Sequence, residues 1–367
     1  MKQAWLADEL FTGTDLLEGL VVLTENNLIS AILPAQSLPA GYPLLSFPGC
    51  FISQAFVDLQ LYGGNGKLFS HSLDESSLEA TYQYCVAGGS SHFMITMATN
   101  SLENFHRGID AVTAYQASGK KGLLGLHLEG PWINPAKKGA HIEAFIKKPT
   151  RAEVLELIER GKGVIRMVTL APEQCDEEIP ELLMDHGILV SAGHSNASYA
   201  QARAAFDKGV PAATHLFNAM SPFQGREPGM VGAIYDDTNV MASIICDGVH
   251  VDYNSVRISK KIMGDRLFFI TDAVTEIGEG NYRHVFQGNR YTLPDGTLSG
   301  SCMTMMSTVQ NAVLHAGISL EESLKMCSVY PAGLLKDPSL GKLQTGRPAN
   351  FNIISKKTLE IVRTVYS

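Results

Sequence analysis

The sequence predicts an α/β protein: a (β/α)8 barrel joined to a small β domain drawn from both chain ends. Three observations predict it. Eight short, nearly continuous apolar runs lie at residues 56–61, 91–97, 123–128, 164–170, 188–192, 210–214, 240–246 and 267–271. Such runs mark parallel strands covered on both faces. Amphipathic helical stretches separate most of them, and this repeated strand–helix order suits a barrel. The two ends differ from this middle part and resemble each other, both alternating in the manner of half-buried strands. A doubly wound open sheet is the competing arrangement, but it needs a glycine-rich cofactor turn that the sequence lacks.

The elements follow in order. Residues 19–23 and 28–33 read as strands joined at Asn26-Asn27, a hairpin-turn pair. A Pro/Gly-rich passage covers 38–49. The C-terminal runs 350–354 and 360–365 alternate likewise. The expected division is therefore 1–53 and 344–367 for the small β domain, and 54–343 for the barrel. Helices are expected at 73–87, 101–117, 150–160, 175–186 and 197–208, and after the last strand at 305–316 and 320–335. Residues 217–239 are rich in Pro, Gly and polar side chains and read as a long loop, a feature that is usually functional. The glycine-rich segment 62–67 lacks the spacing of a nucleotide-phosphate loop, because Leu68 follows Lys67.

Composition narrows the function. The 367 residues are 45% hydrophobic and 18% charged, with net charge −8. That charge argues against general nucleic-acid affinity, and an anionic substrate would need a local basic pocket. Cysteines stand at 50, 85, 175, 246, 302 and 327 without a CxxC pair. A zinc ribbon or redox motif is thus unsupported, and reduced thiols in a cytoplasm are expected. Asp8 and Glu9 stand where a signal peptide needs an apolar core. No apolar stretch approaches about 20 residues, so no membrane span is expected.

Reacting groups of a (β/α)8 enzyme sit at the C-terminal ends of its strands. Glu129 ends the third strand, His194 follows the fifth, His215 the sixth and Asp272 the eighth. Two histidines and a carboxylate form a common ligand set for catalytic zinc with one position open. Imidazole also accepts other divalent metals, so iron, cobalt and manganese are alternatives. An ion there would polarise a carbonyl and acidify a water, and Asp272 could move the proton. The constellation describes metal-assisted hydrolysis of an amide. Taken singly, each residue has a plainer reading as a cap, turn or hydrogen-bonded side chain. His127 lies on the same strand face as Glu129 and reads as a buried, satisfied histidine or a support to the ion. His71, His92, His106, His186, His284 and His315 read as structural or exposed. Arg226 reads equally as a phosphate contact or as a solvated partner of Glu227. The small residues of 299–305 make a candidate lid over a sugar-sized ligand.

At this point a resemblance becomes specific. GLHLEGPW at 125–132, KKGAH at 137–141, VSAGHSNA at 190–197 and ATHLFNAM at 213–220 resemble the N-acetylglucosamine-6-phosphate deacetylase family of the amidohydrolase superfamily. So do GREPG at 225–229, DGVHVDY at 247–253, TDA at 271–273 and GTLSGS at 296–301. The resemblance runs in order over almost the whole chain. It implies an amidohydrolase-type barrel with a small β-sandwich made from both termini. It implies hydrolysis of N-acetyl-D-glucosamine 6-phosphate to D-glucosamine 6-phosphate and acetate. N-acetylgalactosamine 6-phosphate is an alternative substrate, and a catalytically silent sugar-phosphate binding protein an alternative class. By motif, Glu129, His194 and His215 would hold one divalent metal ion per subunit, zinc first. Asp272 would be general base and then acid. His141 would assist catalysis and contact substrate with Ala140, Asn218, Ala219 and His250. Arg226 would meet the phosphate, and Met303, Thr304 and Met305 would line the sugar. A homodimer is implied, in which Arg226 can act across subunits.

The sequence departs from the wider superfamily at Gln60-Leu61-Tyr62, where many members carry His-x-His. Glutamine is a poor ligand beside histidine, which favours a single ion. Tyr62 also departs from the Gln-x-Asn of some deacetylases, altering or filling the pocket. Ser53-Gln54-Ala55-Phe56 replaces a Pro-Gly-Phe approach to the first strand.

Overall fold

The computed structural model describes residues Met1–Ser367. Strands Phe56–Leu61, Ser90–Ala98, Leu123–Glu129, Ile165–Leu170, Leu189–Ala192, Ala212–Ala213, Met241–Ile244 and Leu267–Phe269 form one eight-stranded sheet whose spatial order is the chain order. Registers from the second strand to the eighth are parallel. The sheet closes at its top. Tyr62 N–H donates to Ala273 O at 2.9 Å and Asp272 N–H to Gln60 O at 2.9 Å, making a parallel bridge between Leu61 and Ala273. The first strand is buried along its whole length, as a barrel stave covered on both faces must be.

The later strands are shorter than their apolar runs. The sixth keeps only Ala212 and Ala213, and the eighth stops at Phe269. The physical reason lies just past their ends. His194, His215 and Asp272 have φ of 48°, 38° and 54°, which no extended strand can contain.

Helices begin where polar caps stand. Ser101 accepts from Asn104 N–H before Leu102–Ala117, and Thr150 from Glu153 N–H before Arg151–Arg160. Ser198 and Gln201 form a reciprocal capping box at Tyr199–Asp207, satisfying two otherwise orphaned donors. The expected loop 217–239 is only partly irregular. Gly229–Asp236 is a helix, with Met230, Val231, Ala233 and Ile234 buried. Its Gly and Pro signals misled, because Pro228 stands at the cap position, where a missing N–H costs nothing. The expected helix 320–335 is two, Leu320–Cys327 and Val329–Leu334. Pro331 can occupy a first turn but not a helix interior, so the helix restarts at Ser328.

The chain ends share a second sheet, in the order Ile361–Val365, Phe351–Ser355, Leu44–Gln54, Lys2–Phe11, Leu20–Glu25, Leu28–Pro34, with Leu16–Glu18 beside Lys2–Phe11. Phe351–Ser355 runs antiparallel to Leu44–Gln54, with Phe351 opposite Gln54. Asn26 and Asn27 take φ of 50° and 65°, the conformation a tight two-residue hairpin requires. Trp5, Val22, Ile52, Phe351 and Ile353 make this sheet's core. By compactness the unit containing it comprises Met1–Asp58, Cys85–His92 and Thr304–Ser367; the other comprises Leu59–Tyr84 and Phe93–Met303. All six cysteines are free. No helix is long and apolar enough to cross a membrane.

Candidate active site

Glu129 is the last residue of the third barrel strand and only 1% exposed. The chain must turn away at once, and Gly130 allows it. Its φ is +83°, and a Cβ there would meet Thr99 Oγ1 at 2.1 Å. His194, His215 and Asp272 lie just beyond the fifth, sixth and eighth strands, all in left-handed backbone. Each such non-glycine residue costs about 1–3 kcal/mol, and strain of this kind concentrates at functional sites. The barrel thus turns the backbone sharply at three strand ends to aim three polar side chains at Glu129.

The side chains converge closely. His215 Nε2 lies 3.0 Å from Glu129 Oε1 and 3.1 Å from His194 Nε2. His194 Nε2 lies 3.3 Å from the same carboxylate oxygen. His194 Nδ1 faces the Lys137 carbonyl at 2.8 Å. That carbonyl only accepts, so Nδ1 carries the proton and Nε2 presents a lone pair. With its hydrogen on Nδ1, which meets no partner, His215 Nε2 presents a second lone pair, and the two lone pairs and the carboxylate oxygen then face one another as ligands around a cation do. Ligands about 2.0–2.1 Å from a tetrahedral ion stand roughly 3.3 Å apart. The donor set therefore fits a divalent metal.

His141 is placed differently. Its Nδ1 receives the Thr99 backbone N–H at 3.2 Å and lies 2.7 Å from Thr99 Oγ1. Its Nε2 lies 3.0 Å from Glu129 Oε2. Donors of Glu129, His141 and His194 all fall within 4.8 Å of one another, so proximity alone would make His141 a ligand. The tautomer argues otherwise. With Nδ1 accepting, Nε2 bears the hydrogen and donates to the carboxylate, leaving no lone pair for an ion. His215, whose Nε2 meets both Glu129 Oε1 and His194 Nε2, could be the third ligand.

Two residues absent from the sequence-based ligand set complete the cluster. Gln60 Nε2 lies 3.0 Å from Glu129 Oε1, 2.9 Å from Asp272 Oδ1 and 3.1 Å from Tyr62 OH. Tyr62 OH donates to Glu129 Oε2. Beneath the site, His127 Nε2 meets Thr169 Oγ1 at 2.7 Å, Thr169 meets Thr214 at 2.7 Å, and Thr214 meets Ser191 at 2.6 Å. His127 is thus a buried, satisfied histidine below the mouth.

The charges divide the two carboxylates. Burial alone would raise Glu129, but His194 and His141 pull it well below its usual value. Burial raises Asp272, and the nearby Glu129 charge adds to that against His215. One acid stays ionised while the other is poised to take up a proton, the separation that marks acid–base pairs. Burial and then the neighbouring His194 push His141 down to about 4, so it is neutral at pH 7. Burial, reinforced by the Glu129 charge, holds the Tyr62 phenol protonated.

These groups open into a cavity of about 300 Å³, lined by Ala140, His141, Asn218, Ala219, His250 and Asp272 among others. His250 Nδ1 is held by Asp247 Oδ2 at 2.6 Å. His284, read as structural or exposed, is buried on the cavity wall with Nδ1 3.0 Å from Ser299 Oγ. Of the small-residue segment 299–305, Ser299 and Gly300 line the cavity, next to Thr297 and Leu298. Met303 is buried, its carbonyl accepting from Tyr84 OH, and Thr304 caps the helix that begins at Met305. Arg226 is exposed and lies outside this cavity's lining. Tyr282, which also lines the cavity, donates from OH to Thr99 O at 2.6 Å. The sequence held no signal for Tyr282 or His284, because both come from a loop without regular pattern.

A closed parallel barrel with two histidines, a glutamate and an aspartate gathered at its strand ends defines a class of hydrolase. Residues 93–366 match the amidohydrolase family, and the chain belongs to it. Within that family it groups with sugar-phosphate deacetylases. N-acetylglucosamine-6-phosphate deacetylase of Haemophilus influenzae is 34% identical, over 100% of this chain and 98% of its own. N-acetylgalactosamine-6-phosphate deacetylase of Shewanella is 33% identical, over 81% and 77%. The crystal structure of the Pasteurella multocida N-acetylglucosamine-6-phosphate deacetylase superposes with a TM-score of 0.95 at 32% identity, covering 100% and 98%. A Mycobacterium smegmatis deacetylase, an Asp-to-Ala mutant in complex with N-acetyl-D-glucosamine 6-phosphate, superposes at 0.92 with 28% identity, covering 100% and 98%.

Proposed function

We propose that the chain hydrolyses the acetamide of N-acetyl-D-glucosamine 6-phosphate, releasing acetate and D-glucosamine 6-phosphate. One observation carries the reading: Asp272 stands beside a Glu129–His194–His215 donor cluster whose spacing suits a divalent cation. The relatives' names supply the substrate class.

Glu129, His194 and His215 would hold one divalent ion, zinc before iron, cobalt or manganese, for which the two-histidine, one-carboxylate set is suited. When bound, the ion polarises the acetyl carbonyl and lowers the pKa of water. The chain's own residues do the rest. Asp272 takes a proton from the attacking water as its oxygen bonds to the acetyl carbon. On substrate binding His141 Nε2–H would pass from Glu129 Oε2 to the oxygen that gains negative charge, leaving Tyr62 on Oε2. Asp272 then delivers the proton to the nitrogen as the C–N bond breaks. Asn218, Ala219, Ala140 and His250 would hold the sugar. His250 is suited to this by Asp247, which fixes its ring.

Arg226 would bind the phosphate, its planar fork matching phosphate oxygens. Its exposure, away from the lining of its own chain's cavity, supports action across a homodimer. A cytoplasmic setting agrees with six free cysteines.

Acetate release is the test. The purified chain should liberate acetate from N-acetylglucosamine 6-phosphate, lose this on chelation and regain it with zinc. Substrate binding without acetate release would instead make it a silent sugar-phosphate binder. The Shewanella relative favours a second reading, the galactosamine epimer. The ratio of kcat/KM for the two sugars decides between them.

A further inference from the structure

We propose that Tyr62 is a positioning residue: it caps one oxygen of Glu129, so that the carboxylate offers a single oxygen to the His194–His215 pair. The inference rests on the metal-centre reading above and concerns how this chain prepares its ligand.

The two oxygens of Glu129 have different surroundings. Oε1 faces His215 Nε2 at 3.0 Å, His194 Nε2 at 3.3 Å and the Gln60 amide at 3.0 Å. Oε2 faces the Tyr62 hydroxyl and His141 Nε2–H. A free carboxylate can chelate one ion with both oxygens or bridge two ions. Two donors on Oε2 remove both options and leave Oε1 as the only ligating atom. They also fix the carboxylate plane, so little freedom is lost when an ion binds.

Tyr62 is held firmly enough to do this. Its N–H donates to Ala273 O at 2.9 Å, and its carbonyl accepts from Phe69 N–H at 2.9 Å. Its ring packs in an apolar cluster with Leu68, Ala98, Val274 and Tyr282. Backbone and ring are both fixed, so the hydroxyl position is set by the fold rather than by the ligand. Gln60 braces the arrangement, reaching Tyr62 OH, Glu129 and Asp272 from one amide nitrogen.

The test is zinc binding by Tyr62→Phe, measured by equilibrium dialysis and competition with a chromophoric chelator. The substitution keeps the ring packing and removes only the hydroxyl. Outer ligand-orienting partners typically contribute ~10–100-fold to metal affinity. The expected result is a loss of that size, with the metal-free melting temperature held. Val274→Ala loosens the ring without touching the hydroxyl, and should weaken zinc binding in the same direction by less. It keeps the test open should the Phe variant fold poorly. Zinc affinity within about twofold of the parent in the folded variants overturns the proposal. A parent chain that takes up no zinc refutes the metal-centre reading itself, a separable outcome.

Discussion

Thr99 decides which proton His141 carries. The Thr99 amide N–H points at His141 Nδ1 from 3.2 Å, and the hydrogen of the imidazole is therefore on Nε2, 3.0 Å from Glu129 Oε2. One backbone amide separates a histidine that donates from the two that can ligate. It also explains how three histidines can crowd one carboxylate without performing the same task.

The first prediction follows from that proton. His141→Leu should lower kcat by ~100–1000-fold, the usual loss when a donor to developing oxyanion charge is removed. Bound zinc should be retained at the parent stoichiometry. Loss of the metal in this variant would instead make His141 a ligand.

Asp272 carries two predictions in one residue. Asp272→Asn keeps the shape but cannot accept a proton, and kcat should fall by ~100–10,000-fold with zinc still bound. Asp272→Gly should be equally inactive, yet its metal-free form should melt no lower than the parent. Residue 272 has φ of +54°, which glycine adopts freely, and the buried acid beside Glu129 is gone. A marked drop in melting temperature would show that the aspartate holds the barrel together rather than straining it.

Acid should loosen the metal-free fold. His92, His127, His141 and His284 are each pushed from 6.5 to about 4, chiefly by burial. Between those values the unfolded chain binds more protons than the folded one, so stability is full above 6.5 and drains as pH falls toward 4. The slope is at most roughly 1.4 kcal/mol per pH unit for each histidine. Urea unfolding between pH 7 and pH 4.5 should show this decline, and His127→Gln should make it shallower. Stability independent of pH across that window would contradict neutral burial of these rings.

Arg226→Ala should raise KM with a smaller change in kcat, reducing kcat/KM by ~10–100-fold, as expected for a lost charged hydrogen bond. Mixing this variant with Asp272→Asn tests its reach. Mixed dimers should regain activity if Arg226 serves the partner's site, since one site then has both residues. No regain on mixing would place the arginine in its own subunit's chemistry.

Sequence alone carried much of the architecture and chemistry. Eight apolar runs named eight barrel strands, because a stave buried on both faces must be apolar throughout. Their ends pointed to Glu129, His194, His215 and Asp272, since a polar group closing an apolar run needs a partner. Asn26-Asn27 disclosed its turn through the one conformation that suits it. The Pro-Gly pair at 228–229 hid a helix, because those residues break a helix inside and begin one at its edge.

What tertiary structure alone decided is the division of labour among those residues. His141 and His194 are both histidines near a strand end in sequence; only the Thr99 amide and the Lys137 carbonyl leave one with a hydrogen on Nε2 and the other with a lone pair there. Gln60 and Tyr62 read as departures from a pattern, and their hydroxyl and amide turn out to grip Glu129 and Asp272. Residues 212 positions apart, such as Gln60 and Asp272, meet because the barrel closes. Tautomers, capped oxygens and shifted acids depend on which atoms lie within about 3 Å, and only the closed barrel sets those distances.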